Sequence, residues 1–150
     1  MYKLWGTVLL LTASLFAEFK MGDLFPNITL HDQFDRSVKI ESSDRVVLMA
    51  FEKDVAMGIH HFLTLQPKHF MSQKHLKYIS DVSAVPSFAF SMFALPSIKK
   101  YPFSVMLIQD DLGKEFEKRE GKVSVYRLKN RKITAIQFMN PKRLAALFSD

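Results

Sequence analysis

Arg45-Val46-Val47-Leu48-Met49-Ala50-Phe51 is an unbroken apolar run behind one arginine. It passes through Glu52-Lys53-Asp54-Val55-Ala56-Met57-Gly58 into Ile59-His60-His61-Phe62-Leu63-Thr64-Leu65. A run with no polar alternation is the mark of a strand covered on both faces. Ile59, Phe62 and Leu63 recur at i, i+3 and i+4, which is one face of a helix. Residues 52–58 between them read as a polar turn. A covered strand leading through a short turn into a helix is the first half of a βαβ unit. In open α/β sheets the loop at the carboxyl end of such a strand is where ligands gather. This loop has no cysteine, no serine and no glycine-rich phosphate cradle.

The flanking sequence extends the pattern. Phe25-Pro26-Asn27-Ile28-Thr29-Leu30 reads as a short strand and Ser37-Val38-Lys39-Ile40 as its partner, with a turn over 31–36. Pro67 stops or restarts the helix, and His75–Ser80 alternates as the next strand. Ala84–Phe103 is the most apolar stretch beyond the amino terminus. Its spacing predicts one helix carrying Phe88, Met92 and Leu95 on a shared face and a second opened by Pro96. Phe103–Ile108 is a further strand. Val123–Leu128 and Ile133–Phe138 alternate on either side of a turn at 129–132. Asn140 caps a final helix with Pro141 at its first position. The order predicts an α/β domain with parallel central strands joined by right-handed crossovers. Hairpins at both ends make the sheet mixed, and helices on both faces make a three-layer α/β/α sandwich.

One domain fits 150 residues, and 48% apolar content with 14 Phe is enough for a core. Lys and Arg number 21 against 15 Asp and Glu, a net charge of +6. The excess sits largely between Lys114 and Arg143 and suits an acidic partner or peripheral contact with anionic lipid. No basic run interleaves with aromatics, so no nucleic-acid partner is expected. The absence of cysteine excludes thiol chemistry and disulfides alike.

Lys3, the uncharged run Leu4–Phe16 and the small residue Ala17 follow the grammar of a secretory signal. The run is shorter than the roughly 20 residues that span a bilayer. Residues 1–17 are therefore expected to be a signal peptide and 18–150 an exported domain, periplasmic or secreted.

Taken in order, these stretches resemble the thioredoxin fold in its redoxin or peroxiredoxin-like form. Gly22-Asp23-Leu24-Phe25-Pro26 is similar to the family's opening, and Arg45–Phe51 to the strand before its redox motif. Tyr101–Leu107 resembles the mid-domain strand, and 123–147 the closing hairpin and helix. The resemblance implies that Ala56-Met57-Gly58-Ile59 stands at the redox motif, in the loop and first helical turn. It also implies that Lys122 stands where the family has a cis-proline. With both marks absent, neither thiol-disulfide exchange nor thiol peroxidase activity is expected; cysteine-free exported relatives of the YtfJ kind are nearest in type. The function this implies is a non-catalytic, protein-binding or envelope-associated accessory module. It would need no cofactor, and its partner would be another protein.

Two residue groups offer more specific chemistry. Met57, His60 and His61 combine thioether and imidazole, which suit copper in an exported carrier. However, adjacent helical residues point about 100° apart. The plainer expectation is that Met57 packs while both histidines lie on a partly exposed face. Phe88, Phe90, Met92 and Phe93 are either core or an exposed surface for a partner. The pairs Asp32/Asp35 and Asp110/Asp111 suit turns, where the carboxylate bonds its own backbone.

The signal reading predicts that protein recovered from its host begins at Glu18. Intact-mass measurement checks this, and a species retaining Met1–Ala17 would mark the segment as an anchor instead.

Overall fold

Strand β3 (Val46–Ala50) is buried at every residue. In the computed structural model, which describes residues 18–149, its two neighbours explain why. β4 (Leu76–Asp81) pairs with it in parallel and β6 (Val123–Lys129) antiparallel. Val46, Leu48 and Ala50 face one core, and Val47 and Met49 face a second. The expected signal peptide at 1–17 lies outside the described residues.

The sheet has seven strands in the order β2-β1-β5-β4-β3-β6-β7. The others are β1 (Thr29–Asp32), β2 (Ser37–Lys39), β5 (Met106–Ile108) and β7 (Lys132–Met139). β3, β4 and β5 run parallel, while the end hairpins are antiparallel. The α/β class and the mixed sheet are as expected.

Helices cover the first face. α1 (Lys53–Thr64) contributes Val55, Ile59 and Leu63, α2 (Phe70–Gln73) contributes Phe70, and α5 (Leu144–Phe148) contributes Leu144. The second face is covered differently from the expectation. Phe25, Ile40, Phe116 and Ile133 lie over Val47, Met49, Ile79 and Tyr126, with no α-helix among the described residues there. The crossing from β5 to β6 folds instead as a 3-10 turn, Asp111–Glu115. The cause is local: Asp110 accepts a hydrogen bond from the Leu112 N–H at 2.9 Å, closing a turn where a helix would start. Phe19, Phe25 and Tyr126 pack around Phe116 with ring centroids 4.9, 5.6 and 5.8 Å away.

β5 is three residues long, half the expected strand. The side chain of Gln33 takes over the missing ladder bonds. Its amide donates to the Phe103 carbonyl at 2.6 Å and accepts from the Val105 N–H at 2.8 Å. Beside it, the buried Asp32 carboxylate accepts from the Phe34 and Arg36 N–H groups, Arg36 Nε and Ser104 Oγ. Burial alone would raise its pKa, but these bonds outweigh it and hold the carboxyl below its ordinary value. Asp32 is therefore the structural clamp of the β1–β2 turn.

The closing hairpin turns on Asn130 and Arg131, with φ of 50° and 65°. Two left-handed residues match the twist of the flanking strands. Arg131 Nη2 also donates to the Phe25 carbonyl at 2.9 Å, and the Phe25 N–H donates to the Arg131 carbonyl at 2.7 Å. This ties the amino-terminal segment to the edge of β7.

Pro96 does not open a separate helix. Residues 87–98 form one helical run: α3 (Ser87–Ala89), a π-helical turn (Phe90–Ala94) and α4 (Leu95–Ile98). The Leu95 N–H reaches back to the Phe90 carbonyl, five residues earlier. Pro96 has no N–H to give, and the extra residue of the π turn immediately precedes it. The inserted residue also resets the buried face. Phe90 and Ile98 point into the core, while Phe88 and Met92 of the expected face are exposed and Leu95 is half-buried.

Met49 is fully buried, so Met49→Asp is expected to abolish folding. An unpaired buried carboxylate costs several kcal/mol even after its pKa rises. A domain holds only about 5–15 kcal/mol in total. Circular dichroism and urea titration of the variant check this; a cooperative transition at the wild-type midpoint would contradict the placement of β3.

Candidate functional site

The carboxyl ends of β3, β4 and β5 bring Phe51-Glu52, Asp81 and Asp110 to one pole of the sheet. α1 begins at Lys53, so the strand-to-helix turn is only Phe51 and Glu52. Ala56-Met57-Gly58-Ile59 therefore lies wholly within α1, with Ala56 closing its first turn, and no part of it is in the loop. Ile59 is fully buried, Met57 is 56% exposed, and a Cβ on Gly58 would meet Pro141. Nothing in 52–58 breaks a helix, and Asp54 in the first turn complements its positive end.

Glu52 has extended backbone at the N-cap, but its carboxylate makes no cap bond. It reaches across the chain and accepts the Gly121 N–H at 2.6 Å. Lys122 is the next residue, exposed and immediately before β6; no cis peptide occurs among the described residues. Lys118 Nζ stands 4.9 Å from the Phe51 ring centroid. Gly113 packs so closely on Asp81 and Phe51 that a Cβ there would overlap the Asp81 carboxylate. This pole carries carboxylates and ammonium groups but no thiol. Among the described residues no three His, Cys, Asp or Glu side chains cluster as a metal set.

The proposed copper ligands are not brought together. His60 is 6% exposed, and its Nε2 lies 2.9 Å from the Tyr78 hydroxyl. The Tyr101 and Phe103 rings stand 4.7 and 6.1 Å from its own. Burial lowers the His60 pKa to about 4 and pushes the Tyr78 hydroxyl well up, so both are neutral at neutral pH. Met57 and His61 are exposed. The packing expectation is thus reversed for two of the three residues: Met57 faces water and His60 is core. The missed signal was Tyr78 itself, an apolar-strand residue whose hydroxyl needs a partner.

The 84–103 stretch divides unequally. Phe90 is 3% exposed and belongs to the core, which removes it from the candidate partner surface. Phe88, Met92 and Phe93 are 70%, 65% and 69% exposed. Two open grooves flank these elements. One, of about 740 Å³, lies at the opposite pole, lined by Phe70, His69, His75 and the Lys77–Asp44 ion pair. The other, of about 840 Å³, lies between the β1–β2 turn and the 87–98 run.

No family model matches the chain, and no curated protein is significantly similar to it. Solved structures are similar in fold. The peroxidoxin BcpB of Mycobacterium tuberculosis matches with a TM-score of 0.57 at 15% identity, over 87% of this chain and 94% of that one. The thioredoxin domain of a thiol-disulfide oxidoreductase from Bacteroides vulgatus matches at 0.57 and 15%, over 89% and 100%. A Cys-to-Ser variant of Xylella fastidiosa PrxQ matches at 0.58 and 10%, over 87% and 93%.

The His60 environment makes a pH prediction. Below its ordinary pKa of 6.5 the unfolded chain protonates this residue, while the folded chain resists until about pH 4. The unfolded state then binds more protons, so stability falls as the pH is lowered through that window. The loss from this one group reaches about 3 kcal/mol. His60→Gln should flatten that part of the profile. Urea titrations at neutral pH and at about pH 4.5 check it; an unchanged pH dependence in the variant would clear His60 of the effect.

Proposed function

Because the fold is thioredoxin-like and the chain has no cysteine, we propose an exported, non-catalytic module that works by binding rather than by redox turnover. The observation that carries this reading is the exposure of Phe88, Met92 and Phe93 on one helical run. Large apolar side chains gathered on a surface usually mark a contact site. They are held there by Phe90 and Ile98, which anchor the same run in the core. Export is supported by Lys3, the Leu4–Phe16 run and Ala17. The copper alternative has no such support, since His60 is committed to Tyr78.

Two measurements test it. The purified protein should neither reduce insulin disulfides nor consume peroxide. Turnover that persists through chelation and repeated purification would establish chemistry without a thiol. Separately, Phe88→Ser with Met92→Ser and Phe93→Ser should leave the unfolding midpoint nearly unchanged, because exposed substitutions are usually within about ±0.5 kcal/mol. The same variant should lose the protein's association with the host envelope fraction. Full association after all three changes would overturn the assignment of this surface.

A further inference from the structure

We propose that the 87–98 run is a membrane-surface contact that seats on anionic phospholipid. The inference rests on the binding-module reading above and names what the module binds. Four of the nine large apolar side chains exposed among the described residues fall between Val85 and Phe93. They stand on a rigid element, since the π turn and Pro96 leave Phe90 and Ile98 facing the core. Serines at 87, 91 and 97, all exposed, separate the large side chains. Protruding aromatic and thioether groups among small polar ones match the boundary between acyl chains and head groups.

Charge selects the lipid class. From Val82 to Gln109 the sequence contains no aspartate or glutamate, and its only charged residues are Lys99 and Lys100. Both lysines are exposed directly after the run. Each Lys near an anionic surface contributes about fivefold to partitioning. Asp32, Asp35 and Asp110 line the groove beside the run, with Lys99 at its margin, so the contact is assigned to the protruding residues and not to the groove. The run is too short to span a bilayer, and no helix among the described residues is long and apolar enough to do so. The contact is therefore interfacial.

Vesicle flotation tests the proposal on the full chain as its host yields it. Pure phosphatidylcholine vesicles are compared with mixed phosphatidylcholine–phosphatidylglycerol vesicles. The wild type should float with the mixed vesicles at least about tenfold more than with the neutral ones, and salt should weaken this. The triple serine variant should lose the preference. So should Lys99→Glu with Lys100→Glu, which leaves the apolar residues in place. A direct readout does not depend on loss of binding. Phe93→Trp, with the single native tryptophan changed by Trp5→Phe, should shift its emission blue and be quenched by brominated phosphatidylglycerol.

Equal flotation with both vesicle types overturns the proposal, as does a Phe93→Trp variant that binds vesicles without being quenched. If vesicles fail but the serine variant still loses association with the envelope fraction, the partner is a protein and only the lipid assignment falls. If neither changes, the binding surface itself is wrongly assigned.

Discussion

Every layer of this protein depends on β3 being covered from both sides. A strand with no solvent face must have a filled layer above and below it, and the two cores supply these. Leu48 and Ala50 draw in α1 and the helical run. Val47 and Met49 draw in the amino-terminal segment and Phe116. Neither cover is optional, because losing either would leave that half of the strand wet. The hairpins at the two ends then complete the sheet around a centre that is already determined.

How much of this is legible in the sequence follows from the range of each interaction. β3 was readable because five consecutive apolar residues leave no amphipathic alternative. The closing hairpin was readable because alternation is a local property. Other features depend on residues far apart in the chain. The Gln33 amide that substitutes for strand pairing acts across 70 residues, and the Glu52–Gly121 bond across 69. The His60–Tyr78 pair joins a helix to a strand, and neither residue announces the other. In the 87–98 run apolar residues fall on more than one helical face, so the spacing that groups Phe88, Met92 and Leu95 does not determine which face is buried. The π turn shifts the phase by one residue and brings Phe90 and Ile98 to the same buried side, with Phe88, Met92 and Phe93 outside.

The pole at the carboxyl ends of the parallel strands is built without a thiol. Structures with a similar fold include a thiol-disulfide oxidoreductase and a peroxidoxin. In this chain the strand-to-helix turn is fastened by a carboxylate bonded to a backbone amide. Gly113 is pressed against Asp81 and Phe51, so no side chain fits at that point. The exposed apolar groups Phe88, Met92 and Phe93 stand one connection along the sheet, on the helical run that follows β4.

The amino-terminal segment has a consequence for how the chain tolerates trimming. Phe19 donates its N–H to the Glu115 carbonyl, Gly22 donates to Ile133, and Phe25 is wholly enclosed. The segment acts as a strap, with the Arg131 turn as its buckle. A protease that cut beyond Phe25 would strip its ring from Phe116 and Tyr126 and open the second core. Residues 19–25 therefore belong to the folded unit although they precede the first strand of the sheet at Thr29.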